Sequence, residues 1–399
     1  MNRYTPFTAL RKPALALCLE YPLLDFGGTE VLVAELVRGL AAAFELTLVS
    51  ADRTLAGTWP AEFVTHHLPW FPEEEGPHAG RKLAEKLANL RVRLAHFHSG
   101  FTYGWSARRL GASPILQVRR QGIRCLNTNH GFFSPWEGYC AFYRPQWMKA
   151  ALFPAAWLAK LQVLRALECE VAVSKYDARA LRRIFWPVAQ RFRQVYHAQL
   201  HQGQAPGGRP EAEREKVILC VGTIGFRKGQ PLLVEAFARV AQEFSGWRLL
   251  LVGRVGQEPV WAETQRLMAQ HGLGARVERR EGLSHAEVTA WMQRAEVFVM
   301  PSQFEGLGLS LQEALFHGAA CISTHSGGPE DLIEPGRNGL LVPKDDPAAL
   351  AEALRQVLGD DVLRTRLRQR GPASVQERGM TAEQMVCAYA ALYREILGA

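Results

Sequence analysis

No C-x-x-C pair occurs among the seven cysteines of this 399-residue chain; they are scattered and odd in number. That arrangement offers neither a zinc ligand set nor a disulfide framework, and it points to a reducing compartment. No apolar run approaches the roughly 20 residues that a membrane-spanning helix needs. The opening MNRYTPFTALRKPALALCLE has no long apolar core and no cleavage signature, so no signal peptide is expected. There is no D-x-D; Asp345-Asp346 and Asp360-Asp361 are adjacent pairs in loop contexts, and no metal site is expected. DFGGTE and GTIGFRKG do not fit the G-x-G-x-x-G of a nicotinamide-dependent oxidoreductase. Internal repeats of solenoid period are also missing. Nucleic acid is not expected as a partner, since no recognisable binding module interleaves aromatic and basic residues.

What is present reads as a soluble α/β protein, with 48% hydrophobic and 22% charged residues. Charge is uneven. Residues up to 205 carry 25 Lys and Arg against 15 Asp and Glu, while the remainder carry 22 against 24. The first half is therefore expected to face something anionic. Short apolar runs alternate with longer helical patterns, as in parallel βα units. PALALCL (13–19), ELTLVS (45–50), LAHFH (94–98), RCLNTNH (124–130) and EVAVS (170–174) read as strands of one sheet. KVILCVG (216–222), RLLLVG (248–253), VFVMPS (297–302), AACIST (319–324) and GLLVP (339–343) read as strands of a second. Between them, QGQAPGGRP (202–210) has linker composition. Two Rossmann-like βα domains facing each other across a cleft are expected, over 1–203 and 204–380. The tail is helical in pattern with a break at Gly371-Pro372, and its last segment, 381–399, is expected to cross back to the first domain.

FEGLGLSLQEAL (304–315) carries the chemistry. VFVMPS predicts a strand, QFEGLG a turn, and LSLQEALFHG a helix closed by Gly318. Gly306 and Gly308 allow close approach of backbone to a ligand. Free N–H groups near Leu309 and Ser310 suit a phosphate. Glu313, about one turn into the helix with its side chain leaning back, suits the adjacent hydroxyls of a ribose. Glu305, in the loop, is placed to meet what lies beyond the phosphates. A nucleotide-linked sugar satisfies all three positions. Taken singly, each glutamate also reads as a helix-start carboxylate or an exposed helix residue.

This stretch resembles the E-x7-E signature of the GT4 family of retaining glycosyltransferases, which have the GT-B fold. The resemblance covers most of the chain. PSQFEGLGLSLQEALFHGAACISTHSGGPEDLIEPGRNGLLVP (301–343) is similar to the donor-binding block. VILCVGTIGFRKGQPLLVEAFARV (217–240) resembles the opening of the second domain, and DFGGTEVLVAELVRGLAAAFELTLVS (25–50) the first βαβ unit. The resemblance implies that Glu313 binds ribose hydroxyls and Glu305 a hydroxyl of the donor sugar. It implies that Arg227 and Lys228 hold the diphosphate, that Gly27 and Gly28 turn the first helix towards the reaction centre, and that His130 lies beside the sugar and leaving phosphate. Gly306, Gly308 and Leu309 complete the donor contacts. His98 is expected in the cleft and His96 to be structural; Ser174 reads as a helix cap.

Three departures stand out. Thr223 occupies a position where the family often has Arg, VYHAQLHQG (195–203) replaces a P-N-G-x-D-like turn, and Asp331 stands where Glu is more usual. What the resemblance implies is metal-independent transfer, with retention, from a nucleotide-diphosphate sugar to a carbohydrate or lipid-linked acceptor. No cofactor is implied. The alternatives are a catalytically impaired GT-B partner subunit and a GT-B sugar-nucleotide isomerase. FYRPQWMKAALFPAAWLAKLQVLRALE (142–168) and the arginine-rich RALRRIFWPVAQRFR (179–193) have a composition that suits a peripheral face on an anionic membrane, and a buried helix with cationic flanks explains it almost as well. The expected location is cytoplasmic, peripheral on the inner membrane face.

Overall fold

The computed structural model describes residues 12–23, 28–55, 61–99, 113–131, 153–198 and 214–398. Its first sheet has seven strands in the order β3-β2-β1-β4-β5-β6-β7. These are β1 (Ala14–Leu19), β2 (Glu45–Ser50), β3 (His66–Pro69), β4 (Leu94–Ser99), β5 (Arg124–Asn129), β6 (Cys169–Ala172) and β7 (Phe192–Gln194). The second has six, in the order β10-β9-β8-β11-β12-β13. They are β8 (Glu215–Val221), β9 (Arg248–Val252), β10 (Val277–Arg280), β11 (Ala295–Met300), β12 (Ala320–Thr324) and β13 (Gly339–Val342).

All ten strands expected from apolar runs are present. Three more, HHLP, FRQ and VERR, escape a hydropathy reading because they lie at or near a sheet edge, are short and carry His or Arg. β1 pairs in parallel with β2 and β4, and β8 in parallel with β9 and β11. A parallel strand covered on both faces is apolar at every position. In β8, Ile218 and Cys220 join one core cluster while Val217 and Leu219 join another, so successive side chains fill opposite faces.

The chain forms two compact units. One comprises Met1–His130, Ala159–Val171 and Val386–Ala399; the other comprises Gly131–Leu158 and Ala172–Met385. Residues 172–198, expected with the first domain, cluster with the second unit. Two bonds tie them there: Lys175 N donates to Asp331 Oδ2 at 2.5 Å, and Gln312 Nε2 donates to the His197 carbonyl at 2.9 Å. Within the first unit, Tyr393 and Tyr389 of the last helix (Ala382–Leu397) are fully buried and bond to His96 and Thr128.

The expected break at Gly371-Pro372 is absent, because one helix runs from Asp361 to Glu377 through Pro372. Gly371 is needed for packing instead. A Cβ there would lie 2.6 Å from the Leu315 carbonyl oxygen. The linker 202–210 lies outside the described residues.

Candidate active site

In both sheets the strand order reverses next to the first strand, between β1 and β4 and between β8 and β11. At such a point the following connections diverge to opposite faces and leave a crevice at the strand C-termini, where ligands of open α/β sheets bind. In the second sheet the two loops at this point are 222–229, after β8, and 301–308, after β11.

The loops are stitched together. Phe226–Lys228 form one tight turn that ends at Gly229, whose φ is +66°. A Cβ at Gly229 would lie 2.1 Å from the Pro301 carbonyl oxygen, so only glycine fits. Gln303 N donates to the Arg227 carbonyl at 2.7 Å. Lys228 Nζ meets Glu305 Oε1 at 2.6 Å, and Ser302 Oγ donates to the same oxygen at 2.7 Å. The Glu305 backbone is pinned as well, donating to Ser326 O at 2.8 Å and accepting from Gly328 N at 3.0 Å.

Burial by itself pushes the Glu305 carboxyl up. Lys228 and Arg227, with hydrogen bonds from Lys228 and Ser302, outweigh it and hold the group below the ordinary carboxylate range. Glu305 is therefore ionised, buried and fixed. Arg227 is exposed beside it.

Glu313 sits in the helix Leu309–Phe316, whose first turn has no side-chain cap. Gly308 precedes it at φ +92°, a left-handed conformation that a side chain strains. Glu313 is buried, and the ring of half-exposed His285 is 3.6 Å from its Oε1. Desolvation pushes its carboxyl up to about 7. The carboxyls of the two glutamates of one motif are thus shifted in opposite directions, and the difference lies in Lys228, Arg227 and Ser302, which act on Glu305.

The space beside Gly306 is filled by protein. A Cβ there would lie 3.1 Å from Gly131 Cα and 3.3 Å from Asp177 Oδ2. Gly28 opens the helix Gly28–Leu40 and is exposed; Gly27 lies outside the described residues. Thr223 is exposed in the β8 loop. Asp331 accepts from Lys175 N, and the VYHAQ segment contributes the His197 carbonyl that holds Gln312, the neighbour of Glu313. Ser174 caps the helix Lys175–Ile184 by accepting from Asp177 N, as its sequence position suggested.

At the end of the first sheet, His98 Nδ1 lies 3.0 Å from His130 Nε2. Desolvation pushes the His130 ring down to about 3, so it is neutral at physiological pH. His96 is fully buried between Tyr393 OH at 2.6 Å and Thr128 Oγ1 at 2.7 Å, a structural role. The sequence did not reveal Ser302 as a second donor to Glu305, nor His285 beside Glu313. Ser302 stands three residues before Glu305 at the strand end, and that spacing was the available signal. Among the described residues, no group of three or more His, Cys, Asp or Glu is arranged to hold a metal ion.

Two parallel sheets of this order, each flanked by helices and each with a switch-point crevice, define a GT-B architecture. Family models match both halves, "Glycosyltransferase Family 4" over residues 26–198 and "Glycosyl transferases group 1" over 204–374. The chain belongs to the GT4-type glycosyltransferases.

Sucrose-phosphate synthase from Thermosynechococcus elongatus superposes with a TM-score of 0.76 at 21% identity, over 97% of this chain and 100% of that one. Anabaena Alr3699/HepE in complex with UDP superposes with a TM-score of 0.75 at 15% identity, over 96% of this chain and 100% of that one. In sequence, the chain is 35% identical over 155 residues to the lipopolysaccharide core biosynthesis glycosyltransferase LpsE of Rhizobium meliloti, 39% of this chain and 43% of LpsE. An alpha-D-kanosaminyltransferase of Streptomyces kanamyceticus is 27% identical over 45% of this chain, and is likewise matched over less than half its length, 46%. A D-inositol 3-phosphate glycosyltransferase of Catenulispora acidiphila is 25% identical over 370 residues, 86% of this chain and 85% of that protein.

Proposed function

We propose that this chain transfers a sugar from a nucleotide-diphosphate donor to a carbohydrate or lipid-linked acceptor, with retention of anomeric configuration and without a divalent ion. The observation that carries this reading is the Lys228–Glu305 pair at 2.6 Å, built from two loops at the switch point of the second sheet. A departing nucleoside diphosphate gains negative charge, and Lys228 with Arg227 supplies fixed positive charge to meet it. Glu305, held ionised, is an acceptor for donor-sugar hydroxyls. Glu313 accepts from ribose hydroxyls, and the uncapped helix start at Leu309 adds N–H donors for phosphate. Neutral His130 is suited to hydrogen-bonding the sugar or leaving phosphate. In a retaining transfer the acceptor attacks on the face that the diphosphate leaves, and the departing phosphate oxygen takes the acceptor proton. Support for the donor class comes from the similarly folded Anabaena Alr3699/HepE, which binds UDP and UDP-glucose, and for the acceptor class from the lipopolysaccharide core biosynthesis glycosyltransferase LpsE.

The test is a thermal-shift screen with UDP, GDP, ADP and their sugar conjugates. Transfer with the active donor is then assayed in excess chelator, and the product anomer is read by NMR. Stabilisation by one nucleotide, chelator-resistant turnover and a retained anomer are expected. No shift with any nucleotide would defeat the reading. A shift without turnover would favour a catalytically impaired partner subunit.

A further inference from the structure

We propose that the first unit carries an anion-binding pocket at the strand ends opposite His98 and His130, shaped for the phosphate or diphosphate group of a small soluble ligand. Arg93 directly precedes β4 and Arg124 opens β5, and Arg124 N donates to the Arg93 carbonyl at 3.1 Å. His98 and His130 lie at or just beyond the other ends of these parallel strands. With Arg91, the two arginines line a pocket of about 310 Å³, within the size range of small-ligand sites. All three are exposed, and none makes a side-chain hydrogen bond or ion pair among the described residues. No acid lines the pocket. Glu168, whose N–H bonds the Cys125 carbonyl, pairs with Arg119 at 3.0 Å. Glu85 and Glu395 lie on bordering helices, outside its wall.

The fold does not need these guanidinium groups. The helices Ala79–Asn89 and Pro114–Arg120 both end at the pocket, and backbone groups meet their last carbonyls. Leu90 N, Arg91 N and Val92 N donate to the carbonyls of Lys86, Ala88 and Leu87, and Gln121 N and Gly122 N to those of Val118 and Arg119. Each helix then turns off through a left-handed residue. The second uses Gly122, at φ +79°, which adopts that region without strain. The first uses Arg91, at φ +55°, where a β-carbon crowds the backbone and glycine would be unstrained. Among the described residues the one other non-glycine with positive φ is Asp345, a short acid that tolerates the region better. A strained turn that brings a third guanidinium to a pocket already holding two fits a ligand that needs all three. The helix C-termini contribute partial negative charge, about half a unit each, which three full positive charges exceed. Planar forks without carboxylate partners match the oxygens of a phosphate group, which they meet bidentately. The pocket is concave, with Leu397 of the last helix in its wall, and so suits a compact anion. This inference does not depend on the transfer activity.

The test is phenylglyoxal labelling of the full chain, read arginine by arginine in mass spectrometry, with and without inorganic pyrophosphate. Pyrophosphate should slow labelling of Arg91, Arg93 and Arg124 severalfold and leave the exposed Arg53 and Arg266 unchanged; any protection of Arg227, in the candidate active site, is read separately. Arg124→Gln should raise the pyrophosphate concentration that half-protects Arg93 by about tenfold, the scale of one charge-assisted hydrogen bond. Arg91→Gly should raise it likewise while keeping or raising Tm, because glycine relieves the left-handed turn. Circular dichroism verifies that both variants fold. No protection beyond that of sodium chloride at matched ionic strength, equal protection of Arg53 and Arg266, or wild-type protection in both variants would overturn the proposal. A lower Tm for Arg91→Gly would count against it too, since the arginine would then serve the fold. So would protection by phosphatidic acid vesicles with none by pyrophosphate, which would make the pocket a lipid headgroup contact.

Discussion

Lys228 and Glu305 stand 77 residues apart in the chain, yet their charged atoms lie 2.6 Å from each other. The lysine is one-sixth exposed and the glutamate almost buried, so the pair fixes a cation at the mouth of the crevice before any ligand arrives. Lys228→Ala removes that cation and leaves Glu305 with Ser302 as its remaining close side-chain donor. Turnover should fall by about 10²-fold or more, the scale of losing one preorganised electrostatic donor. Steady-state kinetics with the donor identified by thermal shift checks this, and a loss below threefold would remove Lys228 from the diphosphate site.

Glu313 makes stability depend on pH in a definite direction. Its folded value of about 7 lies above the ordinary glutamate value of 4.5. Between these values the folded chain holds a proton that the unfolded chain has released, so stability falls as pH rises through this window. The cost at pH 8 relative to pH 4 is about 3 kcal/mol on a burial argument alone. Glu313→Gln should flatten the dependence in urea titrations across pH 5 to 8. Nucleotide affinity should rise over the same interval, because the ionised carboxylate is the better acceptor for ribose hydroxyls. A wild-type-minus-variant difference that does not change with pH would show that Glu313 is not desolvated as described.

His130 gives the opposite slope. Its folded value of about 3 lies below the ordinary histidine value of 6.5. Its contribution is therefore present above pH 6.5 and is lost as pH falls towards 3. His130→Asn should be less sensitive to acid than the wild type between pH 6.5 and 4, read by Tm at each pH. His98 shares the 3.0 Å bond to His130 Nε2, which leaves His130 Nδ1 as the other ring position. His98→Ala should lower kcat more than it raises KM for the donor. Equal effects of acid on wild type and His130→Asn would mean that the ring is solvated.

The sheets were legible in the sequence because doubly covered parallel strands are apolar at every position, and ten such runs stand out. β3, β7 and β10 were not, since a short strand near a sheet edge need not be apolar. FEGLGLSLQEAL was legible as a strand-turn-helix with two functional carboxylates. The opposite shifts of their carboxyls were not, because the lowering at Glu305 depends chiefly on Lys228, which lies near Glu305 only after β8 and β11 pair. Gly371-Pro372 reads as a helix break in one dimension, yet the close approach of Leu315 accounts for the glycine and the helix continues.

Lys160 shows how a local reading of charge can mislead. In FPAAWLAKLQVLRA it looks like one cation of a membrane-facing helix, but its side chain is 1% exposed and its Nζ lies 2.5 Å from Glu170 Oε1. Asn129 Nδ2 also donates to that oxygen, at 3.4 Å. Lys160 therefore belongs to the interior of the first unit and not to a lipid-facing surface. Burying two charges together is nearly neutral when they pair well, whereas removing one strands the other in a medium that cannot solvate it. Lys160→Met should thus destabilise the chain by about 3–5 kcal/mol. The double variant Lys160→Met with Glu170→Gln removes both charges and should recover most of that loss. Urea denaturation of the wild type, both single variants and the double variant measures the coupling directly. Additive losses, with no recovery in the double variant, would show that the two side chains do not act as a pair.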